Sequence, residues 1–420
     1  MTRYRLFLFT VLLFPLALRA QLVVDCSGHD QSAYPSINAA LADAGSGSTI
    51  YVTGPCTEDV TLENVNNISL GAWPGQSAKI NGTIIVADSH LVYLYGLNVT
   101  SSNASGFDVV HSNSIAIDSC NASGNAVVGL SARFTSDVFI LTLGTFDNNA
   151  GNGIYVDGNS TLLMLGYGGT IDVSDNGNSG IYSSGGMVST WGNTTILDNS
   201  GGNGLGIELL GGARLQVGAV WGPNTIQGNP SGGASVKEGS EASFWNINGL
   251  ISAIQGNGPT GIAAGFGSQV TIYDGDNISD HTGAGVDVFG HSMVYLYGNN
   301  SIYRNGTLHD RGSAGVRVDG SSEAFIRGGN IYQNYGPGLL GLVSSSVDFS
   351  DATFSQNAGG IIECDNSSWM LNDAEPGAGV RCRSPHKFGN RRMSFSVPPT
   401  PSVTRYKALQ TKYKKMAPKR

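Results

Sequence analysis

The chain has 420 residues; 60 of them are Gly, and only 13% are charged. Each Gly inside a helix costs about 1 kcal/mol relative to Ala, which excludes a helical bundle or α-solenoid. The lack of a Gly-X-Y period excludes collagen, and 40% hydrophobic residues exclude wholesale disorder.

The net charge of −8 is unevenly placed. From Gln21 to Cys382 there are 9 Lys and Arg against 31 Asp and Glu, a net of −22; from Arg383 to Arg420 there are 11 basic residues and no acid. A body this acidic repels polyanions, so no nucleic-acid partner is expected.

In chain order, residues 1–20 read as a secretory signal peptide. Arg3 and Arg5 precede an apolar run from Leu6 to Leu18, and Ala20 offers a small residue for cleavage. That run is too short for a bilayer core of about 30 Å. Export places the protein outside the cell, in the periplasm or on the cell surface. The five cysteines fit an oxidising compartment without making a disulfide scaffold. Cys26 and Cys56 flank the first structured segment and Cys364 and Cys382 the last, so these two pairs are expected to bond. Cys120, in the apolar stretch Ser114-Ile-Ala-Ile-Asp-Ser-Cys120, is expected to be a buried free thiol. Within Pro35 to Ala44 the apolar Ile37, Ala40, Leu41 and Ala44 suit a short amphipathic helix.

An internal repeat follows. A Gly preceding an apolar or small residue recurs from Gly106 through Gly153, Gly206 and Gly285 to Gly360, at steps of 22 to 30 residues. Each repeat holds three short alternating runs, as in Gly153 to Val156, Met293 to Gly298 and Ser301 to Asn305. Period-two alternation puts one face inside, and a single rung buries that face only by stacking on its neighbours. The inner positions include Val188, Leu215, Phe244, Val270, Ile272, Val294, Leu296, Ile326, Val347 and Phe349. Asn199, Asn229, Asn257, Asn305, Asn334 and Asn357 mark rung corners, where Asn tolerates left-handed turns and bonds neighbouring backbone.

This pattern resembles the right-handed parallel β-helix of the pectate-lyase-like superfold, over about Thr49 to Leu371. The resemblance implies an all-β, single-domain solenoid at 21–382, with about 13 three-strand rungs and a capping helix at its start. Residues 383–420 follow as a Pro-containing linker and a basic tail, expected to be a solvated disordered end, with contact to an anionic envelope polymer as the alternative.

Many members of that superfold cleave or epimerise polysaccharides. The pectin hydrolases' Asn-Thr-Asp, Asp-Asp, Gly-His-Gly and Arg-Ile-Lys are absent here, as are the pectin esterases' motifs. Gly201-Gly-Asn-Gly-Leu-Gly206 resembles a calcium β-roll, but Gly206 stands where the Asp ligand belongs and the motif occurs once, so no metal site is assigned. No cofactor is assigned either; calcium would enter only with a lyase.

Two constellations remain. The longest step, Gly285 to Gly315, carries His309, Asp310 and Arg311 in its excess length. Counting two residues from each anchor Gly gives an outward row with Tyr155, Tyr182, Glu208, Asp287 and Arg317, so Asp287 and Arg317 fall on adjacent rungs beside that loop. Asp287, His309, Asp310, Arg311 and Arg317 are the candidate catalytic group: carboxylates, an imidazole and a guanidinium suit acid–base work on a uronate. The second constellation is an outward aromatic stripe of Trp191, Trp245, Tyr273 and Tyr297 leading to Arg327. Tyr295 and Phe325 lie on the parallel row, and Tyr93 and Tyr95 repeat the pattern. Such a stripe can bind sugar faces, form a partner surface or stiffen the sheet.

The function expected is binding of an extracellular or cell-surface polysaccharide without catalysis. The alternative is a lyase, hydrolase or epimerase with a non-standard site at 285–317.

Overall fold

The computed structural model describes residues 21–372, except 247–249, 251, 308–311 and 366. The proposed signal peptide, Cys382, the basic tail, and His309, Asp310 and Arg311 therefore lie outside the described residues. Among the described residues, 40 strands and one helix wind into about 14 right-handed turns, one more than the periodicity suggests.

All inter-strand ladders are parallel and sort into three sheets. Sheet I has 15 strands, from Gln21–Asp25 to Trp369–Asn372; sheet II has 12, from Ala78–Asn81 to Thr353–Ser355; sheet III has 13, from Val60–Glu63 to Ile362–Cys364. A typical turn runs Ile154–Asp157 in sheet III, Thr161–Met164 in sheet I and Ile171–Ser174 in sheet II. Each strand pairs with its equivalent one turn on, as Ile154 does with Ile181 and Ile181 with Ile207.

The bore is mainly apolar; Ser183, in register between Val156 and Leu209, is a buried polar exception. Every inner residue expected from the alternation is buried, from Val188 to Phe349. The helix, α1, spans Ile37–Asp43 and covers the first turn with buried Ile37 and Ala40. Ser36 caps it by accepting from Ala39 N, and the Glu58 carboxylate accepts from Ile37 N at 2.7 Å and Asn38 N at 3.2 Å. These contacts satisfy N–H groups that a helix start leaves open. The Cys26–Cys56 disulfide is present beside this cap, and Cys120 is a buried free thiol whose pKa burial pushes up to about 12. Among the described residues no helix is long and apolar enough to cross a membrane.

Polar columns run along the corners. Between sheets II and III, Asn125, Asn149, Asn176, Asn199, Asn229 and Asn257 form an unbroken ladder. In it, each Oδ1 accepts the backbone N–H and side-chain Nδ2 of the preceding Asn, as Asn229 does from Asn199 at 3.1 and 3.0 Å. Each Nδ2 from Asn149 onward also donates to a sheet II carbonyl of the previous turn, as Asn199 does to Val173 O at 3.2 Å. Backbone groups that the corner would strand in the interior are thereby satisfied.

The left-handed conformation belongs to the residue before the ladder Asn, not to the Asn itself. Asp198 (φ 51°) precedes Asn199, and Arg304 (φ 52°) precedes Asn305. The anchor Gly makes room for the column: a Cβ on Gly180 would stand 2.7 Å from Asn199 Nδ2.

One turn departs from the rule. His281 occupies the ladder position between Asn257 and Asn305, with Nε2 3.0 Å from Ile254 O and Nδ1 3.3 Å from Asn257 O. Both neighbours are acceptors, and a neutral imidazole has one donor, so one nitrogen faces a carbonyl unbonded. Burial pushes the His281 pKa down, which keeps the ring neutral. Replacing His281 with Asn should rejoin the two ladders and raise the urea midpoint by an amount worth about 1–2 kcal/mol; an unchanged or lower midpoint would show that the imidazole is the better fit.

Candidate functional site: an aromatic groove on the outer face of sheet I

Sheet I is apolar on both faces along part of its length. Its outward residues Tyr93, Ala116, Phe139, Leu141, Leu163, Leu165, Trp191 and Trp245 form a second buried cluster outside the bore, with Tyr95, Val220, Trp221 and Tyr273 packed against it. The sequence cause is local. In Val138-Phe-Ile-Leu141 and Leu162-Leu-Met-Leu165 the alternation gives way to continuous apolar runs, as in a strand covered on both sides.

Where the turns from sheet I to sheet II stand away from this face, they enclose a groove of about 820 Å³. Its walls include Trp73, Tyr93, Tyr95, Leu141, Leu143, Leu165 and Tyr167, and its polar lining includes Gln76, Asn98, Asp118, Ser119, Asn121 and Thr142. Trp73 is 41% exposed, Leu143 41% and Tyr167 36%. The rings are braced in pairs: Tyr51 with Trp73 at 5.2 Å, Tyr93 with Tyr95 at 5.2 Å and stacked, and Tyr167 edge-on to Trp221 at 5.1 Å.

Among the described residues Asp118 is the one charged residue in the lining. Its Oδ2 accepts from the Tyr93 hydroxyl at 2.7 Å; its Oδ1 accepts from the Thr142 hydroxyl and from Ser119 Oγ at 3.2 Å. Burial, reinforced by the Asp118 charge, pushes the Tyr93 phenol well above its ordinary range, so it stays protonated and donating. Asn121 Nδ2 donates to Asn98 Oδ1 at 2.8 Å, which fixes the amide pair along the far wall. The arrangement offers ring faces and hydroxyl, amide and carboxylate groups, the contacts that a sugar chain uses.

The aromatic residues expected from the sequence divide into two groups. Tyr273 stacks on Tyr297 at 5.6 Å, and Tyr295 stacks on both Tyr297 (6.2 Å) and Phe325 (5.1 Å). Arg327 forms a forked pair with Asp348, at 3.0 and 2.5 Å. Tyr273, Tyr297, Phe325 and Arg327 are half-buried, and Tyr295 is buried between its neighbours. Trp191 and Trp245 do not present an open platform. Trp191 is 0% exposed and Trp245 6%, with their rings edge-to-face at 5.6 Å. Val220 and Trp221 fold back over them, and the Trp245 ring lies flat on Gly218, where a Cβ would stand 2.3 Å from it.

Of the candidate catalytic group, Asp287 and Arg317 are register partners, with Nε to Oδ1 at 3.8 Å. Arg317 Nη2 hydrogen-bonds Asp319 Oδ2 at 2.8 Å instead. Burial raises the Asp287 pKa, Arg317 opposes the rise and Asp319 adds to it. Their proximity to His309, Asp310 and Arg311 falls outside the described residues. Among the described residues the one cluster of metal-ligating groups is Cys26, Cys56 and Glu58, and the disulfide already consumes its two thiols.

The sequence reading missed Trp73, Leu143 and Tyr167, which sit in turns, and Asp118, Asn98 and Asn121, which sit beside them. The signal that could have found the place is the loss of alternation at Phe139, Leu141, Leu163 and Leu165.

No curated protein matches the chain. Among solved structures, the A-module of the Azotobacter vinelandii mannuronan C-5 epimerase AlgE4 aligns at 16% identity and a TM-score of 0.45, over 79% of this chain and 92% of that one. Pectate lyase Pel9A aligns at 13% identity and 0.36, over 81% of this chain and 80% of that one. The tailspike receptor binding domain of siphovirus 9NA aligns at 9% identity and 0.40, over 86% and 78%. A family model described as "Right handed beta helix region" matches residues 224–374, and with the three parallel sheets it establishes the chain as a right-handed parallel β-helix repeat protein.

Proposed function

We propose that the protein binds an extracellular polysaccharide along the outer face of sheet I, without turning it over. The observation that carries this reading is the groove, in which Trp73, Tyr95 and Tyr167 stand beside Asp118, Asn98 and Asn121. Aromatic faces bury the apolar sides of sugar rings, and the polar groups take their hydroxyls. The half-exposed Tyr273, Tyr297 and Phe325 extend the same face toward the other end of the rod. A glycosidase site needs two carboxylates flanking the bond, and among the described residues the groove lining supplies one carboxylate and no Lys, Arg or His.

Export belongs to this reading. The Cys26–Cys56 disulfide fits an oxidising compartment, and the apolar start of the chain would be its signal. The basic 383–420 segment is the part that would touch an anionic envelope polymer.

Trp73→Ala and Tyr167→Ala should each weaken polymer binding about tenfold, the worth of one lost ring stack, whereas Tyr297→Ala should weaken it less. Equilibrium binding on a polysaccharide panel checks this. Loss on Tyr297→Ala alone would move the site to the far stripe. Catalysis at Asp287 keeps one support, a carboxyl held protonated to higher pH by burial beside an arginine. Reducing-end release that disappears in Asp287→Asn would replace the binding reading with that one.

A further inference from the structure

We infer that the groove on sheet I takes an uncharged glycan and refuses a polyuronate. This rests on the groove being the binding site, and it adds the class of polymer.

The argument is one of charge. A polyuronate carries a carboxylate on every sugar, so a chain lying along several turns is favoured only where cations give the face a positive field. Among the described residues the lining has none, and its single charged residue is Asp118, an anion. The surrounding surface does not supply the missing cations. Among the described residues each of the five arginines is already within 4 Å of a carboxylate: Arg133 with Asp108 at 2.7 Å, Arg214 with Glu241 at 3.5 Å, Arg304 with Asp280 at 2.9 Å, Arg317 with Asp319 at 2.8 Å and Arg327 with Asp348 at 2.5 Å.

Two described lysines remain. Lys237 follows a sheet III strand, away from the groove. Lys79 pairs in register with Asn98 and so stands at the groove's edge. One lysine there, opposed by Asp118, leaves no net positive field for a row of carboxylates. The net −22 between Gln21 and Cys382 adds repulsion at longer range. The apolar walls make matters worse for an anion, because charges beside a low-dielectric surface are screened less than charges in open water. The polar groups present suit hydroxyls instead. Asp118 accepts from the neutral donors Tyr93, Thr142 and Ser119, and a sugar hydroxyl is a donor of the same kind.

The test is equilibrium binding of the full chain to soluble neutral polysaccharides (a β-glucan, a xylan and a galactomannan) and to two polyuronates (polygalacturonate and alginate), at about 0.05 and about 0.5 M salt. The expected result is that one neutral polymer binds at least about tenfold more tightly than either polyuronate at low salt. Trp73→Ala and Tyr167→Ala should each weaken that binding, and salt should change it less than about twofold. Polyuronate binding that both substitutions leave untouched also supports the inference, since it places the polyanion elsewhere, on the basic 383–420 segment. Polyuronate binding that both substitutions abolish overturns the inference and keeps the groove. Neutral binding indifferent to both substitutions, or no binding to any polymer, removes the groove reading itself. Trp73 and Tyr167 sit in turns and are partly exposed, so the two variants should retain the wild-type circular dichroism spectrum.

Discussion

Asn199→Ala should destabilise the protein by about 3–5 kcal/mol. The side chain is fully buried in mid-ladder. Its Oδ1 accepts from Asn176 N at 3.1 Å and Asn176 Nδ2 at 2.9 Å; its Nδ2 donates to Val173 O at 3.2 Å and Asn229 Oδ1 at 3.0 Å. Truncation strands two donors on Asn176 and one carbonyl on Val173 where water has no access. Each orphaned group costs about 1–3 kcal/mol, and removing volume adds a cavity. Asn357, at the far end of the shorter ladder, is only partly buried, so Asn357→Ala should cost far less. Urea unfolding of the two variants checks the contrast, and amide exchange at Asn176 reads the lost bond directly. Equal midpoints for the two would mean that water replaces the column.

Asp276→Asn should have an effect of similar size and opposite sign. Asp276 is buried at the corner between sheets I and II, where the next turn carries Asn300 and two turns earlier stands Asn224. Those amides donate to strand carbonyls, Asn300 to Tyr297 O at 2.9 Å and Asn224 to Gly218 O at 2.9 Å. At Asp276 one oxygen accepts from Asn246 Nδ2 at 2.8 Å and the other has no partner among the described residues. Burial pushes its pKa up from 3.8 to about 7, and the bond from Asn246 opposes the rise only in part.

The sign follows from proton uptake. Between pH 4 and 7 the folded state binds a proton that the unfolded state has released, so stability falls as pH rises through that window and is level above it. The wild-type protein should lose roughly 4 kcal/mol across it from this group. Asp276→Asn should remove that slope and unfold at higher urea than wild type at pH 8, with a smaller gain at pH 5. Unfolding midpoints on a pH series for both proteins decide the matter; parallel curves would mean that the carboxylate is ionised and solvated after all.

Much of this architecture was legible before any coordinates. The Gly period gave the turn, alternation gave the bore from Val188 to Phe349, and counting from the anchor Gly placed Asp287 beside Arg317. Stacking in register is what makes such counting work, because equivalent positions on successive turns become neighbours. The groove was not legible for the same reason in reverse. Trp73, Leu143 and Tyr167 come from turns whose paths no period governs, and they meet only because three different turns lean over one face. Outward Phe139 and Leu163 look like ordinary surface positions when alternation is the only rule applied. The burial of Trp191 depends on Val220 and Trp221 folding back, a tertiary contact with no local signature. His281 and Asp276 each sit where the repeat calls for Asn or a small polar residue, and such exceptions show only once the columns are aligned in space.

The interruption at His281 has a mechanical consequence. In a solenoid each turn holds only its neighbours, so cooperativity is limited by the weakest junction. The Asn column supplies cross-turn bonding along one corner, and it is continuous from Asn125 to Asn257 and again from Asn305 to Asn357. His281 therefore interrupts the amide column in that corner, although its backbone N–H still donates to Asn305 Oδ1 at 3.3 Å. The longer run of turns, which holds the groove, lies before it and the shorter run after it, and the three sheets pair continuously across it. Tyr273, Tyr297 and Phe325 straddle this interruption and Trp73, Asp118 and Tyr167 do not, so unwinding from the C-terminal side should expose the far aromatic stretch before the groove, an order that amide exchange along the turns would show.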